Sequence, residues 1–102
     1  MRTYYVYIVR CSDRSYYVGM TNDYEKRITE HNDGMDKKSF TFTRRPVELV
    51  YLSEFWQVDQ AISWEKQIKR WTRKKKEALI RDDFEALPGL AARRTKFAKK
   101  NI

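Results

Sequence analysis

Hydrophobic and polar residues alternate over the first part of the chain, which predicts a β-hairpin. Two runs rich in Tyr, Val and Ile, residues 4–11 and 15–20, flank a three-residue turn that ends at Arg14, where a positive φ is usual. Such a turn pairs Val9 with Tyr17. The period of two divides the side chains into two faces: Tyr5, Tyr7, Val9, Tyr17 and Gly19 on one, and Val6, Ile8, Tyr16, Val18 and Met20 on the other, which we interpret as core.

A helical period replaces this alternation beyond the hairpin. Asn22 and Glu25 predict a capping box for a first helix, which ends near Asn32. A polar and basic loop, a third strand and two further helices are then expected, at residues 35–45, 47–55, 58–71 and 73–81. We therefore expect one α/β domain over residues 1–82 and a basic C-terminal tail over residues 83–102.

The composition indicates a protein that folds without crosslinks. The chain of 102 residues is long enough for one hydrophobic core. Cys11 is the single cysteine, so an internal disulfide is excluded. The N-terminus runs directly into the first strand-like segment, and no stretch reaches the roughly 20 apolar residues that cross a membrane. We therefore expect a cytoplasmic protein with no membrane partner.

Positive charge is concentrated in the last third of the chain. Of the net charge of +8, residues 1–65 contribute 9 Lys and Arg against 10 Asp and Glu, whereas residues 66–102 contribute 13 against 4. Clustered cations favour a polyanion because phosphate contacts release counterions, so we predict a nucleic acid partner. A solvated helix face and a helix on an acidic membrane are the alternatives. The predicted contact residues are Lys66, Lys69, Arg70, Arg73, Lys74, Lys75 and Lys76.

Three polar residues lie on helical stripes that are expected to face the interior. Glu65 shares a stripe with Ala61 and Ile68, so its carboxylate requires a cation, either a basic side chain or a metal ion. Arg27 and His31 lie one turn apart on the first helix. Taken singly, an Arg here can extend to solvent along its apolar stem, and a His can be a hydrogen-bonded structural residue. Each residue alone leaves the structural interpretation open.

The order and spacing of these residues resemble those of the GIY-YIG nuclease superfamily. The resemblance rests on Tyr5-Val6-Tyr7, Tyr17-Val18-Gly19, Arg27, His31 and Glu65. It covers about residues 3–82 and is strongest to the bacterial single-domain group, through residues 30–32, 44–51 and 65–69. It extends to the nuclease domain of eukaryotic junction-resolving endonucleases. The resemblance implies an α+β fold in which a small three-stranded antiparallel sheet is flanked by helices.

The resemblance also implies a phosphodiesterase site with one divalent metal ion. Glu65 would be the only protein ligand of Mg²⁺ or Mn²⁺, whose other positions go to water and phosphate oxygens. Arg27 would bind the phosphate through its planar guanidinium. Tyr7 and Tyr17 would position and deprotonate the attacking water, which requires a lowered phenol pKa. Either tyrosine could be the base, and His31 could replace it or shuttle the proton.

These features lead us to expect a metal-dependent endonuclease. We expect it to hydrolyse DNA rather than RNA, at branched, nicked or single-stranded structures. The alternative is a non-catalytic nucleic-acid-binding module that retains the fold, which would need neither Glu65 nor a cation. A third possibility is an enzyme that nicks only in complex with a partner protein, since a domain this small leaves little room for a separate targeting unit.

Overall fold

Three strands and three helices make up most of residues 2–81, which the computed structural model describes. In chain order they are β1 (Tyr4–Arg10), β2 (Tyr16–Thr21), α1 (Tyr24–Asp33), β3 (Glu48–Phe55), α2 (Val58–Lys69) and α3 (Arg73–Ile80), with a 3₁₀ turn at Phe42–Arg44 before β3. The expected three-stranded antiparallel sheet is confirmed, with the strand order β2-β1-β3. The boundary predicted at residue 82 and the basic tail over residues 83–102 lie outside the described residues.

The β1–β2 hairpin has the register that its turn predicts. Val9 pairs with Tyr17, and Tyr7 pairs with Gly19. The turn closes with a hydrogen bond from the Cys11 amide to the Ser15 carbonyl at 2.8 Å. Arg14 adopts a φ of 70°, the left-handed conformation expected at the end of a three-residue turn. Because the register is fixed here, Tyr7 and Tyr17 lie on the same face of the sheet.

The central strand β1 is buried on both of its faces. Val6 and Ile8 pack beneath α2 and α3 in a cluster that is mainly aliphatic and aromatic, which we call the apolar side. Its other buried members are Val18, Tyr51, Phe55, Ala61, Trp64, Ile68, Ala78 and Leu79. Tyr7 and Val9 face α1 in a second cluster, which we call the aromatic side and which also contains Cys11, Val47, Leu52, Tyr5, Tyr17, Tyr24, Ile28 and Leu49.

Two helix ends differ from the prediction. Asp23, not Asn22, caps α1, because its Oδ1 accepts from the Lys26 amide at 3.1 Å while Thr21 Oγ1 accepts from the Asp23 amide at 3.1 Å. Helix α2 ends at Lys69, two residues before the predicted end at residue 71. The next two amides bond to carbonyls only three residues back, which tightens the last turn and ends the helix. No helix within residues 2–81 is long and apolar enough to cross a membrane.

The loop over residues 35–45 is attached to the rest of the domain at both ends. The Asn32 amide group donates to the Val47 carbonyl at 3.1 Å and accepts from the Val47 amide at 2.7 Å. Arg44 binds the Asp13 carboxylate at 3.0 Å, and its carbonyl accepts from the Ser12 amide at 2.9 Å. These bonds hold the loop between α1 and the hairpin turn, where it forms one wall of a cleft.

Candidate active site

Three of the predicted site residues meet on the aromatic side of the sheet. Tyr7 of β1 and Tyr17 of β2 have ring centroids 6.4 Å apart, and the Tyr17 ring lies 5.4 Å from the His31 ring. The Tyr7 hydroxyl is hydrogen-bonded to His31 Nε2 at 3.0 Å. Strand pairing brings the tyrosines together, and the helical stripe of α1 points His31 at them. The predicted shared face of Tyr7 and Tyr17 is thereby confirmed.

The position of Tyr7 depends on a glycine in the neighbouring strand. Gly19 lies opposite Tyr7, and a β-carbon at Gly19 would lie 2.5 Å from Tyr7 Cζ. No side chain fits in that space without displacing the phenol ring. The glycine of the Tyr17-Val18-Gly19 triplet therefore makes room for Tyr7 on the sheet surface.

A chain of hydroxyl groups continues from His31 into the loop. His31 Nδ1 lies 2.8 Å from Thr41 Oγ1, which in turn lies 3.0 Å from Ser39 Oγ. The Ser39 hydroxyl also accepts from the Thr41 amide at 3.3 Å. Sequence reasoning missed Thr41 and Ser39, because a loop has no period that would point their hydroxyls at α1.

Burial determines the charge states of the hydrogen-bonded pair. Burial raises the pKa of the Tyr7 phenol, and Tyr17, Glu65 and Glu30 raise this pKa further against the opposing effect of Arg27. The Arg27 charge alone therefore does not lower the pKa of Tyr7 below its ordinary value. Burial and the Arg27 charge lower the pKa of His31. At neutral pH a protonated phenol therefore faces a neutral imidazole.

Arg27 lies at the edge of the cleft with its guanidinium half exposed. Its Nε is 3.6 Å from the Glu30 carboxylate, an exposed ion pair of adjacent turns that contributes little to stability. The charge of Arg27 nevertheless acts on both Tyr7 and His31, as their pKa values show. The guanidinium is thus close to the buried pair and accessible to an anion.

The cleft beside Arg27 has a volume of about 210 Å³. One wall is Tyr17 together with α1, and the other is the 35–45 loop. Phe40, which is 42% exposed, stacks on Tyr17 with 6.0 Å between centroids and an interplanar angle of 21°. The Arg44 guanidinium lies 3.9 Å from the centroid of the Phe40 ring. The cleft therefore combines a flat aromatic surface with a cationic edge, the two features that bind unpaired nucleotides.

Glu65 lies on α2, which packs against the other face of the sheet. Its side chain is 19% exposed, and its cationic partner is Lys69, at 3.4 Å. Arg27, a cation close to Tyr7, pairs with Glu30 instead. The effect of Glu65 on the pKa of Tyr7 nevertheless shows that this carboxylate is electrostatically coupled to the phenol.

The carboxylates of the described residues do not form a metal cage. Within residues 2–81 no group of three or more His, Cys, Asp and Glu side chains is arranged to hold a metal ion. Mg²⁺ does not require such a cage, because it typically binds one or two carboxylates together with water and substrate phosphates. A single partly exposed carboxylate at Glu65 fits that requirement.

The predicted nucleic-acid-binding residues lie on α2, on α3 and on the turn between them. Lys66, Lys69, Arg70, Lys74 and Lys75 are exposed, whereas Lys76 is partly buried. The exposed Arg73 also has a structural role: its guanidinium binds Glu77 at 3.1 Å and the Arg14 carbonyl at 2.7 Å. Helix α3 is thereby attached to the hairpin turn, so Arg73 is the least available of the exposed cations for phosphate.

The chain is similar to a known family and to curated bacterial and archaeal proteins. The family model described as the GIY-YIG catalytic domain matches residues 3–78. The UPF0213 protein YazA of Bacillus subtilis is 44% identical over 79 residues, which cover 78% of this chain and 79% of that protein. The UPF0213 protein HQ_3675A of Haloquadratum walsbyi is 47% identical over 79 residues, which cover 78% and 88%.

Two solved structures share the fold. The solution structure of the UPF0213 protein BH0048 from Bacillus halodurans is 38% identical with a TM-score of 0.51, covering 76% of this chain and 82% of that one. The solution structure of EF2693 from E. faecalis is 35% identical with a TM-score of 0.58, covering 80% and 86%. The family match over residues 3–78 includes all three strands and α1, which carry the aromatic side of the sheet.

Proposed function

Because this chain belongs to the GIY-YIG family of nucleases, we propose that it is a metal-dependent endonuclease that hydrolyses phosphodiester bonds in DNA. The observation that carries the proposal is the buried hydrogen bond between Tyr7 and His31 at 3.0 Å, next to the Arg27 guanidinium. A phenol hydrogen-bonded to a neutral imidazole beside an anion-binding cation provides the groups that hydrolysis of a phosphate ester needs.

Tyr7 acts as a proton relay rather than as a phenolate that is already ionised before the substrate binds. Burial raises the pKa of Tyr7, so an ionised phenol would be scarce at neutral pH. His31 is neutral there and can accept a proton at Nε2. In the attack step, the Tyr7 oxygen takes a proton from water while the phenolic proton passes to His31. The resulting hydroxide forms the new bond to phosphorus as the bond to the leaving oxygen breaks, and the leaving alkoxide takes a proton from solvent.

Arg27 and Glu65 provide the remaining functions. Arg27 binds the non-bridging phosphate oxygens through its guanidinium, which is half exposed at the edge of the cleft. Glu65 would hold the divalent ion, Mg²⁺ or Mn²⁺, in place of its ion pair with Lys69. When bound, that ion neutralises phosphate charge and stabilises the leaving oxygen.

The substrate departs from the regular continuous duplex at the point of cleavage, as branched, nicked and single-stranded DNA do. The support is the partly exposed stack of Tyr17, Phe40 and the Arg44 guanidinium beside the cleft, because aromatic rings and arginine planes are surfaces on which unpaired bases stack. Exposed cations on α2 and α3 contact the sugar–phosphate backbone on either side. A partner protein that supplies targeting is compatible with this arrangement and stays a prediction, as does a cytoplasmic location.

A non-catalytic nucleic-acid-binding module is the second proposal. The observation that favours it is the ion pair between Glu65 and Lys69, because a carboxylate already neutralised by a lysine has a structural explanation. The two proposals differ in their dependence on a divalent ion.

A cleavage screen with labelled oligonucleotides distinguishes them. Single-stranded, nicked, branched and fully paired DNA, and single-stranded RNA, are incubated with the full chain in Mg²⁺, in Mn²⁺ and in EDTA. We expect cleavage of branched, nicked or single-stranded DNA, and we expect EDTA to abolish this cleavage. Binding without cleavage under every metal condition would replace the endonuclease with the binding module.

A further inference from the structure

The hydroxyl of Thr41 is buried directly behind the histidine of the proposed relay. Thr41 is 1% exposed, and its Oγ1 lies 2.8 Å from His31 Nδ1, on the far side of the ring from Tyr7. We propose that Thr41 is a positioning residue: with Ser39, it holds His31 in the tautomer that carries its proton on Nδ1, so that Nε2 is free to accept from Tyr7. The catalytic consequence rests on the proposed function, whereas the tautomer does not.

The hydrogen bonds of this group are all satisfied in that tautomer. His31 Nδ1–H donates to Thr41 Oγ1, the Thr41 hydroxyl donates to Ser39 Oγ, and the Ser39 hydroxyl hydrogen can point towards the cleft that Ser39 lines. Ser39 Oγ also accepts from the Thr41 amide. On the other side of the ring, the Tyr7 hydroxyl donates to Nε2. Each buried polar hydrogen therefore has an acceptor.

The opposite tautomer leaves a buried donor without an acceptor. With the proton on Nε2, the ring donates to the Tyr7 oxygen, and the phenolic hydrogen of Tyr7 has no second acceptor in the portion of the chain that the structure describes. Tyr7 is 1% exposed in the free protein, so bulk water does not readily replace that acceptor before the substrate brings the attacking water to the Tyr7 oxygen. An unpaired buried hydroxyl is unfavourable, which selects the Nδ1–H tautomer.

Among the groups around His31, only the hydroxyls of Tyr7 and Thr41 form hydrogen bonds to its ring nitrogens within the described residues. The sheet presents Tyr7 and Tyr17 to the ring, and α1 presents Arg27 and Glu30. The two charged groups alter the pKa of the imidazole in opposite directions, but neither has a hydrogen bond to a ring nitrogen among the described residues. The bonds that select a tautomer are those to Tyr7 and Thr41.

Nuclear magnetic resonance tests the proposal without any substrate. His31 is the only histidine in the chain, so the ¹⁵N shifts and two-bond couplings of a uniformly labelled sample report one imidazole. Above the pKa of His31, we expect the unmodified protein to show Nδ1 with the shift of a protonated nitrogen and Nε2 with that of an unprotonated one. Predominantly protonated Nε2 in the unmodified protein would overturn the proposal, and this measurement needs no variant.

Three substitutions separate positioning from packing. Thr41→Val keeps the shape and removes the hydroxyl, so the population should move towards the Nε2–H tautomer. Thr41→Ser keeps the hydroxyl and should restore the original spectrum. Thr43→Val, at an exposed threonine of the same segment, is the matched control and should leave the spectrum unchanged. A Thr41→Val protein that is folded and retains the Nδ1–H tautomer would contradict the proposal.

Cleavage assays give the catalytic consequence. Thr41→Val should lower kcat by roughly 10- to 100-fold, the usual range for residues that orient a functional group, with KM little changed and Thr41→Ser near the original rate. If Thr41→Val shifts the His31 tautomer but the unmodified protein cleaves no DNA, the positioning role of Thr41 is supported and the proposed endonuclease activity is refuted. Unchanged kcat in a Thr41→Val enzyme whose tautomer has shifted would refute the catalytic consequence alone.

Discussion

The two sides of the sheet are built from alternate residues of the same strands, yet they differ in chemistry. On the apolar side, Val6 and Ile8 are fully buried beneath Trp64 and other apolar residues of α2 and α3. On the aromatic side, Tyr7 is almost as deeply buried, but its hydroxyl is committed to His31. Burial alone therefore does not distinguish a stabilising core from a reactive centre, whereas the partners of the buried polar atoms do.

This difference explains how so small a domain can hold a polar site. The apolar side supplies hydrophobic burial, the main favourable contribution to folding. The aromatic side can then tolerate a buried phenol and imidazole, because hydrogen bonds to Thr41 and Ser39 satisfy them. Substitutions on the apolar side should accordingly affect mainly stability, and substitutions on the aromatic side should affect mainly activity.

The largest expected effect on stability is on the apolar side. Trp64→Ala removes a ring that packs edge-on against Trp71 and donates to the Tyr51 hydroxyl at 2.9 Å. We expect it to lower the free energy of unfolding by about 3–5 kcal/mol. Tyr7→Phe removes one hydrogen bond and should cost about 1 kcal/mol. Urea denaturation of both variants measures the difference, and similar losses would mean that the two sides contribute alike.

A smaller effect is expected from pH, and it should come from the aromatic side. The pKa of His31 is lowered from its ordinary value of 6.5, so the unfolded chain binds its proton more readily than the folded one. Stability due to His31 is therefore complete above that value and is lost as the pH falls through the folded pKa. Denaturation from about pH 8 to about pH 5 should show this loss in the unmodified protein but not in His31→Gln. Parallel pH curves for the two proteins would show that His31 is not buried as described.

Substitution of the exposed cations on α2 and α3 should have the smallest effect on stability but a clear effect on nucleic acid binding. Exchanging Lys66, Arg70 and Lys74 for Gln removes three exposed cations from the face formed by α2 and α3. The slope of the logarithm of the DNA-binding constant against the logarithm of salt concentration should become shallower by up to about three units. Each lost phosphate contact changes that slope by about 0.9. Arg10→Gln is the control, because Glu48 already neutralises Arg10 at 2.7 Å. An unchanged slope in the triple variant would mean that these cations of α2 and α3 do not contact DNA phosphates.

The strands, the hairpin register and the class of fold could be predicted because they depend on local rules. A period of two fixes which side chains share a face, and a three-residue turn fixes which residues pair. The meeting of Tyr7 and Tyr17 follows from these rules alone. The helical period of α1 predicted only that His31 approaches the sheet, and its grouping with the two tyrosines was implied by the resemblance to the GIY-YIG superfamily.

The remainder of the site depends on contacts between residues distant in sequence. The position of Thr41 is determined by the bonds of Asn32 and Arg44, which attach the loop at both ends and leave no periodic signal. The raised pKa of Tyr7 is caused by burial, which only the packed structure shows. The partner of Glu65 was likewise open, because helical spacing allows Lys69 but does not exclude a cation from another element.

Metal-dependent cleavage by Glu65→Gln tests the endonuclease proposal most directly. Glu77→Gln is the matched control, because Glu77 forms an equivalent pair with Arg73 at 3.1 Å on the next helix. Both pairs join residues one helical turn apart, and neither carboxylate is fully buried, so both variants should unfold close to the unmodified protein. We predict that Glu65→Gln loses roughly 100-fold or more of the Mn²⁺-dependent cleavage rate, whereas Glu77→Gln retains it. A folded Glu65→Gln protein that cleaves at the original rate would contradict the assignment of the site.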